Sequence, residues 1–273
     1  MDLNNSVILI YLNKFLLYLY SPVSAFVRLV CLLCLISTPV ISSQEIQHIS
    51  SYDEFPWEEL GSPTQPKSIF MWDIDGTLMH TDILKTFGAA VRAQPLESTL
   101  KIWSCISNCC NKISTKEFLD FGTRYEISNL IDESIPSQIQ TLITNGHISW
   151  NYTNVYTGRL YDTTYEAQIA YKLDRLGICR SPILENGTEV DRGVLEQYQG
   201  AHPEFYKGIL FNDKRSKPEI FRHSFLPWML ANPLYQDISE FIYIDDILKN
   251  VKGMGQVCEE NGINYYGFVC HFK

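Results

Sequence analysis

The 273-residue chain is short of positive charge, lacks any repeat and has no long uninterrupted apolar run. Its 22 lysines and arginines face 31 aspartates and glutamates, for a net charge of −9. The first 43 residues hold one acid and two bases, so the remainder carries −10. An acidic body repels phosphate backbones, which argues against nucleic-acid binding but allows a small phosphorylated ligand held by a local cation. No histidine spacing suggests ligands, and no second cysteine pair completes a zinc site, so a structural zinc is not expected. No apolar stretch reaches the roughly 20 residues of a membrane span. With 45% hydrophobic residues over this length, the chain can still bury a full core.

What is present begins with a leader. Val7–Tyr20 is apolar apart from Asn13 and Lys14, Ser21–Pro22 interrupts it, and Arg28 precedes a second apolar run, Leu29 to Ile41, ending in Ser42 and Ser43. A basic residue, an apolar segment and small residues in that order read as a secretory signal, cleaved or kept as an anchor. Residues 1–43 are therefore expected to direct export, to the periplasm or outside the cell. Membrane contact is expected through this segment alone. Cys31 and Cys34 fall inside it. Of the six cysteines beyond, Cys105, Cys109 and Cys110 form the cluster best suited to disulfides, while Cys179 and Cys258 read equally well as buried thiols. Asn151 and Asn186 head glycosylation sequons, of consequence only in a host that glycosylates.

Residues 44–67 are polar, with Pro56, Pro63 and Pro66, and read as a linker into a domain spanning 68–273. Ser68–Trp72 reads as a short buried strand, and apolar residues three and four apart make 78–146 a helical insertion covering the site. A strand is expected within 147–156, a helix over "TTYEAQIAYKLDRLGI", and a turn-rich insert over 179–207. Strand "KGILFN", a helix after Lys217, strand "EFIYI", a helix and the closing strand "NYYGFVC" follow. Strands alternating with helices imply a parallel sheet covered on both faces. Ligands of such sheets bind beyond the carboxyl ends of the strands, where Asp73, Asp75, Thr157, Asp245 and Asp246 are expected, with Lys217 just past another strand.

Carboxylates gathered at one sheet edge repel each other unless a cation joins them, and an all-oxygen donor set suits Mg²⁺. One carboxylate is then free to be a nucleophile and a neighbour a proton donor. Gly76 lets the backbone fold back close to the ligand, and Thr77 can tie the turn down. Blander readings exist: Asp245–Asp246 as a helix cap, Thr157 as a turn residue, and Lys217 as a solvated lysine in competition with Lys214.

"DIDGT" at Asp73–Thr77, Thr157, Lys217 and "DD" at Asp245–Asp246 resemble the four motifs of the haloacid dehalogenase (HAD) superfamily. "YKGILF", "YTGR" and "IYIDDILKN" resemble most closely a bacterial group known as domain of unknown function 2608. Pro218 departs from the pattern, which usually has glycine after the lysine. The resemblance implies an α/β Rossmannoid three-layer sandwich with a central parallel sheet and a helical cap. It implies Mg²⁺-dependent hydrolysis of a phosphomonoester, on a small molecule or a phosphoprotein, through an aspartyl-phosphate. Asp73 would attack phosphorus and Asp75 would protonate the leaving group. Thr157 with Gly158 would hold phosphoryl oxygens, and Lys217 would neutralise them. The metal would rest on Asp73, Asp75 and Asp245, with Asp246 a weaker candidate and Asn250 weaker still. A phosphotransferase or mutase would show the same motifs, and a non-enzymatic envelope or host-interaction protein could keep the scaffold.

Overall fold

A computed structural model describes residues 45–81, 127–160, 163–238 and 240–272. The leader, Cys105, Cys109, Cys110 and the middle of the expected cap lie outside the described residues.

Ser68–Asp73 (β2) is buried along its whole length. Its alternate side chains serve two cores: Ile69 and Met71 on one face, Phe70 and Trp72 on the other. Glu240–Asp245 (β13) divides the same way, with Phe241 and Tyr243 opposite Ile242 and Ile244. A period of two with apolar residues on both faces is the mark of a strand covered from both sides. Around this pair the main sheet has eight strands in the order β1-β14-β13-β2-β5-β12-β11-β10. The others are β1 (Glu45–Ile49), β5 (Ile148–Thr153), β10 (Arg192–Val194), β11 (Glu204–Tyr206), β12 (Ile209–Phe211) and β14 (Asn264–Cys270). Pairing is parallel from β1 to β12 and antiparallel for β10, β11 and β12. Short two-stranded ribbons complete the strand set: β3 (Met79–Thr81) with β4 (Ser128–Leu130), β6 (Arg159–Leu160) with β7 (Thr163–Thr164), and β8 (Ile183–Glu185) with β9 (Thr188–Val190).

After a four-residue helix, α1 (Trp57–Leu60), α2 (Ile135–Thr144) and α3 (Tyr165–Arg175) add their apolar stripes to one core. The other face carries α4 (Lys217–Ile220), a wide π turn over Phe221–Phe225, α5 (Leu226–Ala231) and α6 (Leu248–Glu260). Phe221, Phe225, Leu226, Met229, Val251, Met254 and Val257 supply that second core. The result is the expected α/β three-layer sandwich. From β2 the chain proceeds to β5 and β12 on one side and returns to β13 and β14 on the other, so β2 lies at a topological switch point.

Four expectations need correction. Residues 44–67 are no simple linker. Glu45–Ile49 adds a parallel edge strand against β14, and Tyr52, Phe55 and Leu60 are buried in the core. The polar sequence concealed this because one face of an edge strand meets solvent and only a few side chains do the anchoring. The helix at 135–144 belongs to the sheet's covering layer rather than to a cap, because Ile135, Ile139 and Leu142 pack on the sheet. The inserted segment therefore leaves and re-enters through the β3/β4 ribbon, whose partners are Met79 with Leu130 and Thr81 with Ser128. The segment at 179–207 is less irregular than its sequence suggests: it forms the β8/β9 ribbon and extends the main sheet with β10 and β11. Finally, Asn151 is 1% exposed inside β5 and beyond the reach of glycosylation in the fold, whereas Asn186 occupies an exposed turn. Cys179, Cys258 and Cys270 are free thiols.

A chain begun at Lys67 should unfold at lower urea than one begun at Gln44, by on the order of 5 kcal/mol for three lost core side chains. Equal midpoints would restore the linker reading.

Candidate active site

β2 and β13 are neighbours, in register from Glu240 opposite Ser68 to Ile244 opposite Trp72, and Asp73 and Asp245 follow as their last residues. Both side chains are buried, Asp73 at 7% and Asp245 at 0% exposure. Between them lies Lys217, the first residue of α4 and 4% exposed. Its ammonium forms ion pairs with Asp73 Oδ1 and, at 2.9 Å, with Asp245 Oδ2. Lys217 thus lies between the two acids, whereas the ammonium of its competitor Lys214 lies over the Tyr156 ring. Pro218 causes no disturbance, because a second-position helical proline needs no hydrogen-bond donor.

Aromatic walls surround this ammonium. Lys217 Nζ sits 5.4 Å from the centre of the Tyr152 ring and 6.0 Å from that of Tyr243. The Tyr152 hydroxyl donates to the Lys217 carbonyl at 2.6 Å and fixes the start of α4. The Tyr243 hydroxyl donates to Asp245 Oδ2 at 2.5 Å. Residues two apart on a strand share a face, so that contact follows from the Tyr-Ile-Asp order. Neither tyrosine was expected at the site.

Asp245 is heavily committed. Besides Lys217 and Tyr243 it accepts from the Ile247 amide at 2.7 Å and from Asn250 Nδ2 at 3.2 and 3.1 Å. Asp246 differs: it is exposed, and its Oδ2 lies 2.6 Å from where a Cβ on Gly76 would stand. Gly76 has φ +83°, so both its conformation and this approach require glycine. The turn it makes is closed by Gly76 N–H to the Met79 carbonyl at 2.9 Å and Leu78 N–H to the Ile74 carbonyl at 3.0 Å. Thr77 Oγ1 donates to Asp73 Oδ2 at 3.2 Å, the tie expected from the sequence. Asp75 is exposed at the head of the turn.

Asp73, Asp245 and Asp246 present oxygens all within 4.8 Å of one another. One lysine cannot neutralise three carboxylates, and Asp73 and Asp246 are both raised. Burial pushes the Asp73 carboxyl up to about 8 against the pull of Lys217, with Asp245 adding to the rise. Asp246 is raised by its burial and then by Asp245. Burial opposes the Lys217 charge, but Asp73 and Asp245 outweigh it and hold the ammonium protonated. All-oxygen donors with excess negative charge fit a hard divalent cation. Asp73, Asp245 and Asp246 together could hold it, with Asp245 also fixing Lys217 and the start of α6.

The phosphate-binding residues expected on β5 fall elsewhere. β5 ends at Thr153, one residue past Tyr152, which stands opposite Asp73. Thr157 lies four residues further on, in a loop. Its amide is held by Asp213 Oδ1 at 3.3 Å, and the Gly158 amide by Glu166 Oε1 at 2.6 Å. Both N–H groups already meet carboxylates. Thr153, 1% exposed, is the hydroxyl that closes the strand. Polar residues run through "NYTNVYT", so hydrophobic patterning could not mark where the strand stops.

Lys217→Met should cost about 3–5 kcal/mol, since it leaves two buried carboxylates without their partner. The loss should shrink as pH falls below about 8, where Asp73 takes up its proton and the repulsion is removed. Urea titrations at pH 5 and pH 8 measure it, and an equal loss at both would contradict this account.

A family model described as "Protein of unknown function (DUF2608)" matches residues 46–271. A search among curated proteins finds no match. One matching solved structure is a HAD family enzyme from Bacteroides thetaiotaomicron, crystallised as its magnesium complex. It is 12% identical, covers 74% of this chain and 93% of its own, and superposes with a TM-score of 0.34. Because the family model spans well over half of the chain, from within β1 to past the end of β14, the chain belongs to the DUF2608 family.

Proposed function

We propose that this protein is a Mg²⁺-dependent phosphatase of the HAD type, acting on a small phosphorylated substrate. The observation that carries the reading is Lys217, bridging Asp73 and Asp245 across the ends of adjacent strands. A structural ion pair needs one carboxylate. A lysine held between two buried ones, with a third beside them, supports a site made for added charge on both a cation and an anion.

Mg²⁺ would be held by Asp73, Asp245 and Asp246, and would offset negative charge on the phosphoryl group. The remaining roles belong to the chain. Asp73 Oδ2, oriented by Thr77, attacks phosphorus and the substrate's P–O bond breaks. Asp75, exposed at the turn, gives its proton to the departing oxygen. The same carboxylate then takes a proton from water, whose oxygen attacks phosphorus and releases phosphate and free Asp73. Lys217 stays charged throughout and faces the phosphoryl oxygens, with Tyr152 and Tyr243 excluding water around it. Thr153 takes the hydroxyl role that the sequence assigned to Thr157.

Asp73→Asn should abolish Mg²⁺-dependent release of phosphate from an aryl phosphate while the protein stays folded. If wild type and variant release it at the same rate across a panel of phosphomonoesters, the proposal fails.

Protons and metal compete for the same oxygens, which sets a pH dependence. The metal-free Asp73 carboxyl is raised from its ordinary value near 4 to about 8. Its contribution to stability is therefore full below pH 4 and is lost as pH rises toward 8. Added Mg²⁺ should raise the melting temperature more at pH 8 than at pH 5.5, as scanning calorimetry can measure. A gain independent of pH would place the ion elsewhere.

A further inference from the structure

The segment that precedes the first core strand reaches into the catalytic turn. Tyr52 is 1% exposed, and its hydroxyl donates to the Thr77 carbonyl at 2.9 Å. Thr77 in turn donates its side chain to Asp73 Oδ2 at 3.2 Å. A continuous path of hydrogen bonds thus runs from the N-terminal segment through one residue to the proposed nucleophile.

The ring is built to stay there. Tyr52 packs against Phe272, Trp57 and Trp72 with centroids 4.8, 6.0 and 6.3 Å away. Trp57 Nε1 donates to the Tyr52 carbonyl at 2.9 Å, and Ser51 caps the short 3₁₀ turn Tyr52–Glu54. Upstream, β1 fastens this turn to β14 through five paired residues, from Glu45 with Tyr266 to Ile49 with Cys270. Burial of a tyrosine is common, but a phenol aimed at a main-chain carbonyl in the nucleophile's own turn is a specific use of it. The turn's own main-chain bonds join Ile74, Gly76, Leu78 and Met79, and the Tyr52 hydroxyl is the donor that meets the Thr77 carbonyl.

We propose that Tyr52 is a positioning residue of the active site: its hydroxyl fixes the Thr77 peptide and so holds the Thr77 side chain on Asp73. The N-terminal strand and turn are then a working part of the site. The catalytic half of this inference rests on the phosphatase reading, and the positional half does not. Tyr52 touches neither substrate nor metal. It acts on the direction in which Asp73 presents its free oxygen, so its loss should lower turnover and leave substrate affinity nearly intact.

The test compares full-length wild type, Tyr52→Phe and, as a control, Tyr235→Phe. Tyr235 is a second buried hydroxyl, bonded to the Leu184 main chain on the far side of the fold. Hydrogen exchange by mass spectrometry reads the turn directly through the amides of Gly76, Leu78 and Met79. In Tyr52→Phe these should exchange about tenfold faster, the effect of one buried hydrogen bond, with β5 and β13 unchanged. On an aryl phosphate with Mg²⁺, kcat should fall about tenfold with KM within about twofold, and Tyr235→Phe should leave both parameters alone. Unchanged exchange in Tyr52→Phe overturns the proposal whether or not the protein hydrolyses phosphate. Faster exchange with unaltered kcat overturns its catalytic half. A wild type without turnover removes the phosphatase reading while exchange still decides the position of the turn.

Discussion

A buried ammonium shared by two carboxylates is the constraint around which this protein is arranged. Lys217 could not be desolvated alone, nor could Asp73 and Asp245 be brought together without it. Each comes from a different part of the chain, so the contact forms only when β2, β13 and the start of α4 are all in place. The walls follow from the same need. Tyr152 and Tyr243 are among the few side chains able to line a charge with aromatic surface while supplying hydroxyl donors to its neighbours. The core is apolar up to that point and polar immediately beyond it. The sheet thus delivers charge to its edge without exposing the strands that carry it.

The two acidic pairs divide their labour by burial. In Asp73–Ile74–Asp75 the first carboxylate is enclosed and the second exposed; in Asp245–Asp246 the order is the same. The enclosed members fix Lys217, and the exposed ones lie at the solvent side of the same edge. Gly76 brings the pairs together, because any side chain there would collide with Asp246. The glycine therefore links two motifs that are far apart in sequence, beyond shaping its own turn.

Much of this was legible from residue types. The alternation of apolar runs with helical stretches gave the parallel sheet, and carboxylates at strand ends gave the edge and the lysine. The failures have physical reasons. β1 is an edge strand in a polar, proline-rich context, anchored by the isolated aromatics Tyr52 and Phe55, so its pairing with β14 left no periodic trace. β5 carries Ser149, Asn151 and Thr153 inside the fold, so apolar patterning does not mark its end, and Thr157 lies four residues beyond it rather than at it. Tyr243 could have been found: it precedes Asp245 by two on a strand and must share its face.

The β3/β4 ribbon has a consequence for the length of the piece it closes. It brings Met79 and Leu130 side by side, so the chain between them starts and finishes at one point beside the turn that follows Asp73. Closing a longer loop on fixed ends costs only about 0.6 kcal/mol for each doubling of its length. A longer or shorter intervening piece therefore fits the same two ends at little energetic penalty and leaves the turn beneath it unchanged.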